Sequence, residues 1–209
     1  NTQVTDLTPL AALTGLRRLD ISATEVTDLA PLAALTGLRT VWLRDTRVTD
    51  LAPLATLTGL QALALDGTAV TDVYPLAGLT ELSHLGLSSS ALADLAPLGT
   101  LSNLLTLDLA DTSVKDLASL SALYGLMDLN LTGTAVSDPS PLAALIGLRD
   151  IWLQKTLVTD LRPLATLGKL QTISLSDTRA ADLSPLAELS ELRDLNLRRS
   201  AAADLRPLA

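Results

Sequence analysis

Cysteine and phenylalanine are absent from the 209 residues of this chain, and histidine occurs once. Without cysteine there are neither disulfides nor thiolate metal ligands, and a single histidine supplies neither a metal site nor a nucleophile–base pair. The sequence contains no apolar run of the ~18 residues that a membrane-spanning helix needs. We therefore expect no cofactor, no metal site, no enzymatic activity and no membrane insertion.

Positive charge is also scarce, with 15 lysines and arginines against 23 aspartates and glutamates and a formal net charge of -8 at pH 7. A chain with a net negative charge is not generally attracted to a phosphate backbone, so we expect no nucleic-acid partner. The lack of cysteine favours a reducing compartment, and hence a cytoplasmic location. The bacterial cell surface is the alternative.

What the sequence does contain is one block repeated without a slip. Shifting the chain by 22 residues places the Val-Thr-Asp-Leu of 4–7 on 26–29 and again on 48–51. Nine blocks fill residues 4–201, and partial blocks lie at both ends. A fixed period of this length predicts a stacked solenoid, here one domain over 1–209.

Each block combines two local patterns. Apolar and small or polar residues alternate around Leu63 and Leu65, which predicts a short strand with one buried face. Asp50 stands ahead of Pro53, followed by leucines three residues apart, which predicts a capped 3₁₀ or α turn. One Asp of this kind occurs in all ten copies, from Asp6 to Asp204, so capping explains the series better than stacked calcium sites.

The repeated motif Leu-x-x-Leu-x-Leu-x-x-Thr-x-Val, followed by x-Asp-Leu-x-Pro-Leu-x-x-Leu-Thr, resembles the leucine-rich repeat family in its 22-residue bacterial, internalin-like class. The resemblance covers essentially the whole chain. It implies an α/β solenoid, a right-handed superhelix with a concave parallel β-sheet and short 3₁₀ or α turns on the convex side. It also implies that protein or peptide partners bind the concave face.

The sequence departs from this family at the ladder position where asparagine is usual. Threonine or serine stands there in every block, from Thr2 to Ser200. A hydroxyl offers fewer hydrogen bonds than an amide, so we expect a narrower and less densely hydrogen-bonded turn. Thr2 already occupies the ladder column, so the chain starts partway through a block, and Ala209 ends it partway through another. We therefore expect a fragment of a longer protein, whose uncapped ends associate end to end.

Both tryptophans fall in one column of outward-facing strand positions. Trp42 and Trp152 lie five strands apart, roughly 24 Å at ~4.8 Å per strand. We expect them to be exposed anchors on either side of a smooth floor, because tryptophan and arginine dominate binding energy at interfaces. The alternative is that tryptophan only suits a strand and covers its neighbours. The other binding candidates near them are Arg18, Arg44, Arg47, His84, Gln154 and Lys155.

A second candidate cluster is acidic. Asp108, Asp128, Asn130 and Asp150 take outward positions on adjacent predicted strands. Carboxylates this close could share a proton or hold a cation. The alternative is a solvated patch that favours a basic partner, since an open sheet provides no burial to shift a pKa.

These features predict a protein-interaction or ligand-recognition module that uses the concave sheet. Similarity to repeat tracts on bacterial STAND-type signalling NTPases suggests the sensor region of a larger signalling protein. The alternatives are a bacterial surface adhesin of internalin type, or a structural spacer with no partner.

Overall fold

The computed structural model describes residues 4–208, which form one parallel sheet and a row of short helices. Within this range nine strands alternate with ten 3₁₀ helices, and each strand pairs with the next one in the sequence. Every strand pairs with the next at a spacing of 22 residues, as Leu63 pairs with Leu85. One coil of the solenoid therefore contains 22 residues, the same number as the sequence period.

The strands are three residues long: β1 Arg18–Asp20, β2 Thr40–Trp42, β3 Ala62–Ala64, β4 His84–Gly86, β5 Thr106–Asp108, β6 Asp128–Asn130, β7 Asp150–Trp152, β8 Thr172–Ser174 and β9 Asp194–Asn196. The helices are η1 Thr8–Leu10, η2 Ala30–Leu32, η3 Ala52–Thr56, η4 Tyr74–Leu76, η5 Ala96–Thr100, η6 Ala118–Ala122, η7 Ser140–Ala144, η8 Arg162–Thr166, η9 Ser184–Leu186 and η10 Arg206–Leu208.

The core lies between the sheet and the helices and consists almost entirely of leucine. Leu63 and Leu65 are 2% and 0% exposed, as their alternation predicts, so residues 62 and 64 face away from the core. Leu54 of η3 and Leu57 after it are fully buried beneath them. Each block contributes one such layer, and one continuous cluster joins the layers along the described chain.

The repeated aspartates form hydrogen bonds at the N-termini of the helices. Asp50 Oδ1 accepts a hydrogen bond of 2.8 Å from the backbone N–H of Ala52, the first residue of η3. The same bond recurs in all ten copies, at 2.8–2.9 Å. Proline follows at the first turn of nine of the ten helices, where its missing N–H costs nothing, and Ser119 stands there in η6. The aspartates therefore bind the first backbone N–H of each helix, as the capping prediction requires, but from the position before the N-cap, which is Leu51 in η3; the helices are 3₁₀ rather than α.

The threonine ladder closes the turn after each strand. Thr68 is buried, and its hydroxyl donates to the carbonyl of Leu65 at 2.6 Å. The equivalent bond forms in eight consecutive blocks, from Thr24 to Thr178. The residue before each ladder position takes a left-handed conformation, as at Gly67 with φ 69°. One side-chain hydrogen bond from the ladder hydroxyl therefore closes the turn in each of these eight blocks.

The predicted fold class is confirmed: an open solenoid with a parallel sheet on one side and 3₁₀ turns on the other. Thr2 and Ala209, which the repeat pattern assigns to columns of the block, lie outside the described residues. No helix between residues 4 and 208 is both long enough and apolar enough to span a bilayer.

Candidate binding groove on the sheet face

A cavity of about 830 Å³ lies on the outward face of the sheet. Its lining comes from seven consecutive strands, from Arg18 in β1 to Trp152 in β7. One cavity can touch so many parallel strands only if the sheet curves toward that face. We call this cavity the groove. Nine of the predicted binding residues line it: Arg18, Trp42, Arg44, His84, Asp108, Asp128, Asn130, Trp152 and Gln154.

The other three predicted residues lie outside the lining. Arg47 follows the turn and pairs with Glu25, with Nη2 2.6 Å from Oε2. Lys155 takes the left-handed turn position, with φ 55°, which moves it off the strand. Asp150 borders the groove, as the register partner of Asp128.

The two tryptophans line opposite ends of the groove, and both are partly exposed. Each also lies beside a small residue on the following strand, Trp42 next to Ala64 and Trp152 next to Ser174. Ala64 and Ser174 face outward yet are only 4% and 3% exposed. The tryptophans therefore border the groove and also stand beside the small residues of the sheet that are shielded from solvent.

Asp66 is a groove residue that was not among the predicted binding residues. Its Oδ2 accepts a hydrogen bond of 3.0 Å from Arg44 Nε, and its Oδ1 accepts from the hydroxyl of Ser88 at 2.8 Å. The carboxylate lies over Gly86, where a Cβ would come within 2.6 Å of it. Opposite charges one repeat apart in a single column, Arg44 and then Asp66, were the signal available in the sequence.

The acidic half of the groove is partly buried. Asp108 accepts a hydrogen bond of 2.9 Å from the backbone N–H of Ala110, but burial raises the pKa of its carboxyl, and the nearby charge of Asp66 adds to the rise. Burial also raises the pKa of Asp128, and the neighbouring Asp150 carboxyl raises it further. The expectation that an open sheet provides no burial does not hold here, because curvature shields these positions from water.

Some of the remaining polar groups of the groove are hydrogen-bonded to neighbouring side chains. The hydroxyl of Thr132 donates to Asn130 Oδ1 at 2.6 Å and lies 3.0 Å from Gln154 Oε1. His84 is exposed, and its Nδ1 shares a hydrogen bond of 2.8 Å with the hydroxyl of Ser83. Side chains locked in this way form a preorganised polar floor.

The chemistry of the groove suits recognition. Across residues 4–208, no three histidine, aspartate or glutamate side chains are arranged to hold a metal ion. The lining instead offers two aromatic faces, a paired arginine, amide groups and partly buried carboxylates. These groups bind peptide backbone and charged side chains.

Comparisons with known proteins agree with this architecture. No protein-family model matches the sequence, and no curated protein matches it either. Among solved structures, an internalin (InlF) of Listeria monocytogenes superimposes with a TM-score of 0.95 and 31% identity. That match covers 99% of this chain and 61% of the internalin chain, so this chain spans less than two thirds of that relative.

Two further structures are similar. Internalin C2 of Listeria monocytogenes matches with a TM-score of 0.86 and 34% identity, over 88% of this chain and 81% of its own. A leucine-rich repeat protein of Leptospira interrogans matches with a TM-score of 0.87 and 24% identity, over 92% of this chain and 51% of its own. The last similarity bears on the fold alone.

Proposed function

We propose that this chain, which belongs to the internalin-like family of leucine-rich repeat proteins, is a non-catalytic module that binds a protein partner in the groove. The partner places an extended segment across the sheet from Trp42 to Trp152. The rigid stack of repeats supplies the shape of the site, and the variable outward positions supply the specificity.

One observation carries this proposal: both tryptophans of the protein line the same cavity. Large aromatic side chains at partly exposed positions are the residues that most often carry binding energy, because they bury much area and lose little side-chain entropy. Trp42 has Arg44 beside it, and Trp152 has Gln154, so each aromatic anchor is accompanied by a group that can fix the orientation of a partner.

The similarity to internalins supports the context of a bacterial surface adhesin. The sensor region of a larger signalling protein is the second context, and it rests on the repeat pattern alone. Protease treatment of intact cells that carry the full-length gene product separates the two. Digestion of the repeats supports the adhesin, and protection until the cells are lysed supports the sensor.

The binding test begins with a random dodecapeptide library displayed on phage and selected on the wild-type protein. The selected peptides are measured against the double variant Trp42→Ala/Trp152→Ala by isothermal titration calorimetry. Loss of two such anchors is expected to weaken binding by at least 100-fold, since each is worth about 2 kcal/mol or more at an interface. Both substitutions leave the buried leucines intact, so the thermal unfolding midpoint, followed by far-UV circular dichroism, should stay close to that of the wild type.

The matched control is Tyr74→Ala/Tyr124→Ala, which removes two aromatic rings that are 62% and 66% exposed and lie outside the groove. This variant should bind the selected peptides as the wild type does. Equal affinity for all three proteins would overturn the proposal and favour a structural spacer.

A further inference from the structure

The charges of the groove are unevenly balanced along its length. In the first half, Arg44 forms an ion pair with Asp66 at 3.0 Å, and Arg18 adds a second positive charge. In the second half, Asp108 and Asp128 line the groove and Asp150 borders it. With two arginines against one aspartate, the first half of the lining is weakly positive, and the second half is acidic.

The carboxylates of the acidic half form no ion pair among the described residues, and the charges of Arg149 and His84 only partly offset the rise in the pKa of Asp128. Five ion pairs form between residues 4 and 208, and none of them includes Asp108, Asp128 or Asp150. All three carboxylates are partly buried, so water compensates their charges less than at an open surface. The raised pKa of Asp108 and of Asp128 reflects the same imbalance.

Trp152 lines the same cavity as Asp108 and Asp128, with Asn130 between it and Asp108 in the sheet register, and it also borders a second, smaller cavity of about 270 Å³. The small cavity is lined by Asp194, Asn196 and Ser174 among others. The hydroxyl of Ser174 is buried and has no hydrogen-bond partner among the described residues. A buried polar atom without a partner is unusual, and a donor brought by a ligand beside Trp152 would satisfy it.

An aromatic ring with carboxylates around it recognises one kind of group, a cationic side chain. The face of a tryptophan attracts guanidinium and ammonium groups, and carboxylates accept their N–H donors in charge-assisted bonds. Arginine fits best, because it can stack on the ring and donate to a carboxylate at the same time.

We propose that the β5–β7 half of the groove recognises a basic segment of the protein partner, with an arginine held between Trp152 and the carboxylates of Asp108 and Asp128. A second basic side chain of the same segment reaches the small cavity, near Asp194 and Ser174. This inference rests on the proposed function, since it names the kind of segment that the groove receives.

The probe is a fluorescein-labelled peptide of four Gly-Arg-Ser repeats, compared with the same peptide carrying citrulline in place of each arginine. Citrulline keeps the shape of arginine and removes the charge. Binding is measured by fluorescence polarisation at physiological ionic strength. The wild-type protein should bind the arginine peptide at least tenfold more tightly than the citrulline peptide.

The site variant is Asp108→Asn/Asp128→Asn, and it should lose at least tenfold in affinity for the arginine peptide. Asparagine already occupies the column of Asp108 at Asn130 and Asn196, where its Oδ1 accepts the same backbone hydrogen bond at 3.1 Å. The fold should therefore tolerate the change. The control Glu81→Gln/Glu191→Gln alters the net charge equally at exposed positions away from the groove and should bind as the wild type does.

A second readout locates the peptide. In the variant Trp42→Phe, Trp152 is the one remaining tryptophan, and its emission should change when the arginine peptide binds. Equal affinity for both peptides, absence of measurable binding to either, or equal losses in the site and control variants would each overturn the inference. None of these results touches the proposed function, which the phage-selected peptides and the Trp42→Ala/Trp152→Ala variant test separately.

Discussion

The carboxylate of Asp66 occupies the space that a side chain at position 86 would need. A Cβ built on Gly86 comes within 2.6 Å of Asp66 Oδ2 and 2.7 Å of Oδ1. Glycine at this position therefore allows Asp66 to lie across the floor of the groove, where it holds Arg44 and Ser88.

We predict that Gly86→Ala destabilises the protein by about 1–3 kcal/mol, because the carboxylate must move and its hydrogen bonds must break. In an Asp66→Ala background the same change should cost about 1 kcal/mol less, since the obstructing atoms are gone. Urea denaturation of the four proteins in the cycle measures the difference. Strictly additive changes in the free energy of unfolding would show that Asp66 does not obstruct a side chain at position 86.

The ladder hydroxyls predict a second stability effect. Thr68→Val keeps the shape of the side chain but removes the hydroxyl that donates to the carbonyl of Leu65. The free energy of unfolding should fall by about 0.5–1.5 kcal/mol, the usual net value of such a bond. Thr49→Val, at an exposed position, should change it by less than about 0.5 kcal/mol. An equal loss of stability in Thr68→Val and Thr49→Val would show that the ladder hydrogen bond is not the cause.

Two groups of aspartates should have pKa values shifted in opposite directions. Hydrogen bonds from Ser140 and Ser184 lower the pKa of the capping residues Asp138 and Asp182 below 3.8. Burial, with the nearby acidic groups, raises the pKa of Asp108 and Asp128 above 3.8.

The sign of the pH effect follows from linkage. The capping aspartates stabilise the fold above their unfolded pKa, and this contribution is lost as the pH falls through their lowered folded values. Asp108 and Asp128 bind protons more tightly when folded, so their destabilising effect at neutral pH disappears as the pH falls through their raised values. Carboxyl NMR titration checks both directions, and a pKa of Asp128 at or below 3.8 would contradict the burial that we describe.

Local stability should vary along the solenoid. Leu107 and Leu109 of the central repeat are 2% and 0% exposed, whereas Leu195 and Leu197 of the ninth are only partly buried. Alanine at positions 180 and 202, where earlier blocks have valine or leucine, predicts looser packing on the same side. Backbone amides of β9 should therefore exchange with deuterium faster than those of β5. Slower exchange in β9 would refute the predicted fraying.

The repeat, the number of residues in each coil, the buried face and the start of each helix can all be predicted from the amino-acid sequence. Leu63 and Leu65 alternate with outward residues, and Asp50 precedes a proline in the same order in block after block. Such local patterns suffice because burial periodicity and capping depend on residues that are close in the chain. The same alternation, read at a spacing of 22 residues, assigns Trp42 and Trp152 to one face of the sheet.

Which outward residues lie close together, in contrast, depends on the folded solenoid. Curvature of the sheet gathers Arg18 and Trp152 around one cavity and partly buries Asp128, while the left-handed turn moves Lys155 off the strand. The approach of Asp66 to Gly86 depends on the spacing between neighbouring coils. These features arise from packing between repeats, and no single 22-residue block contains that information.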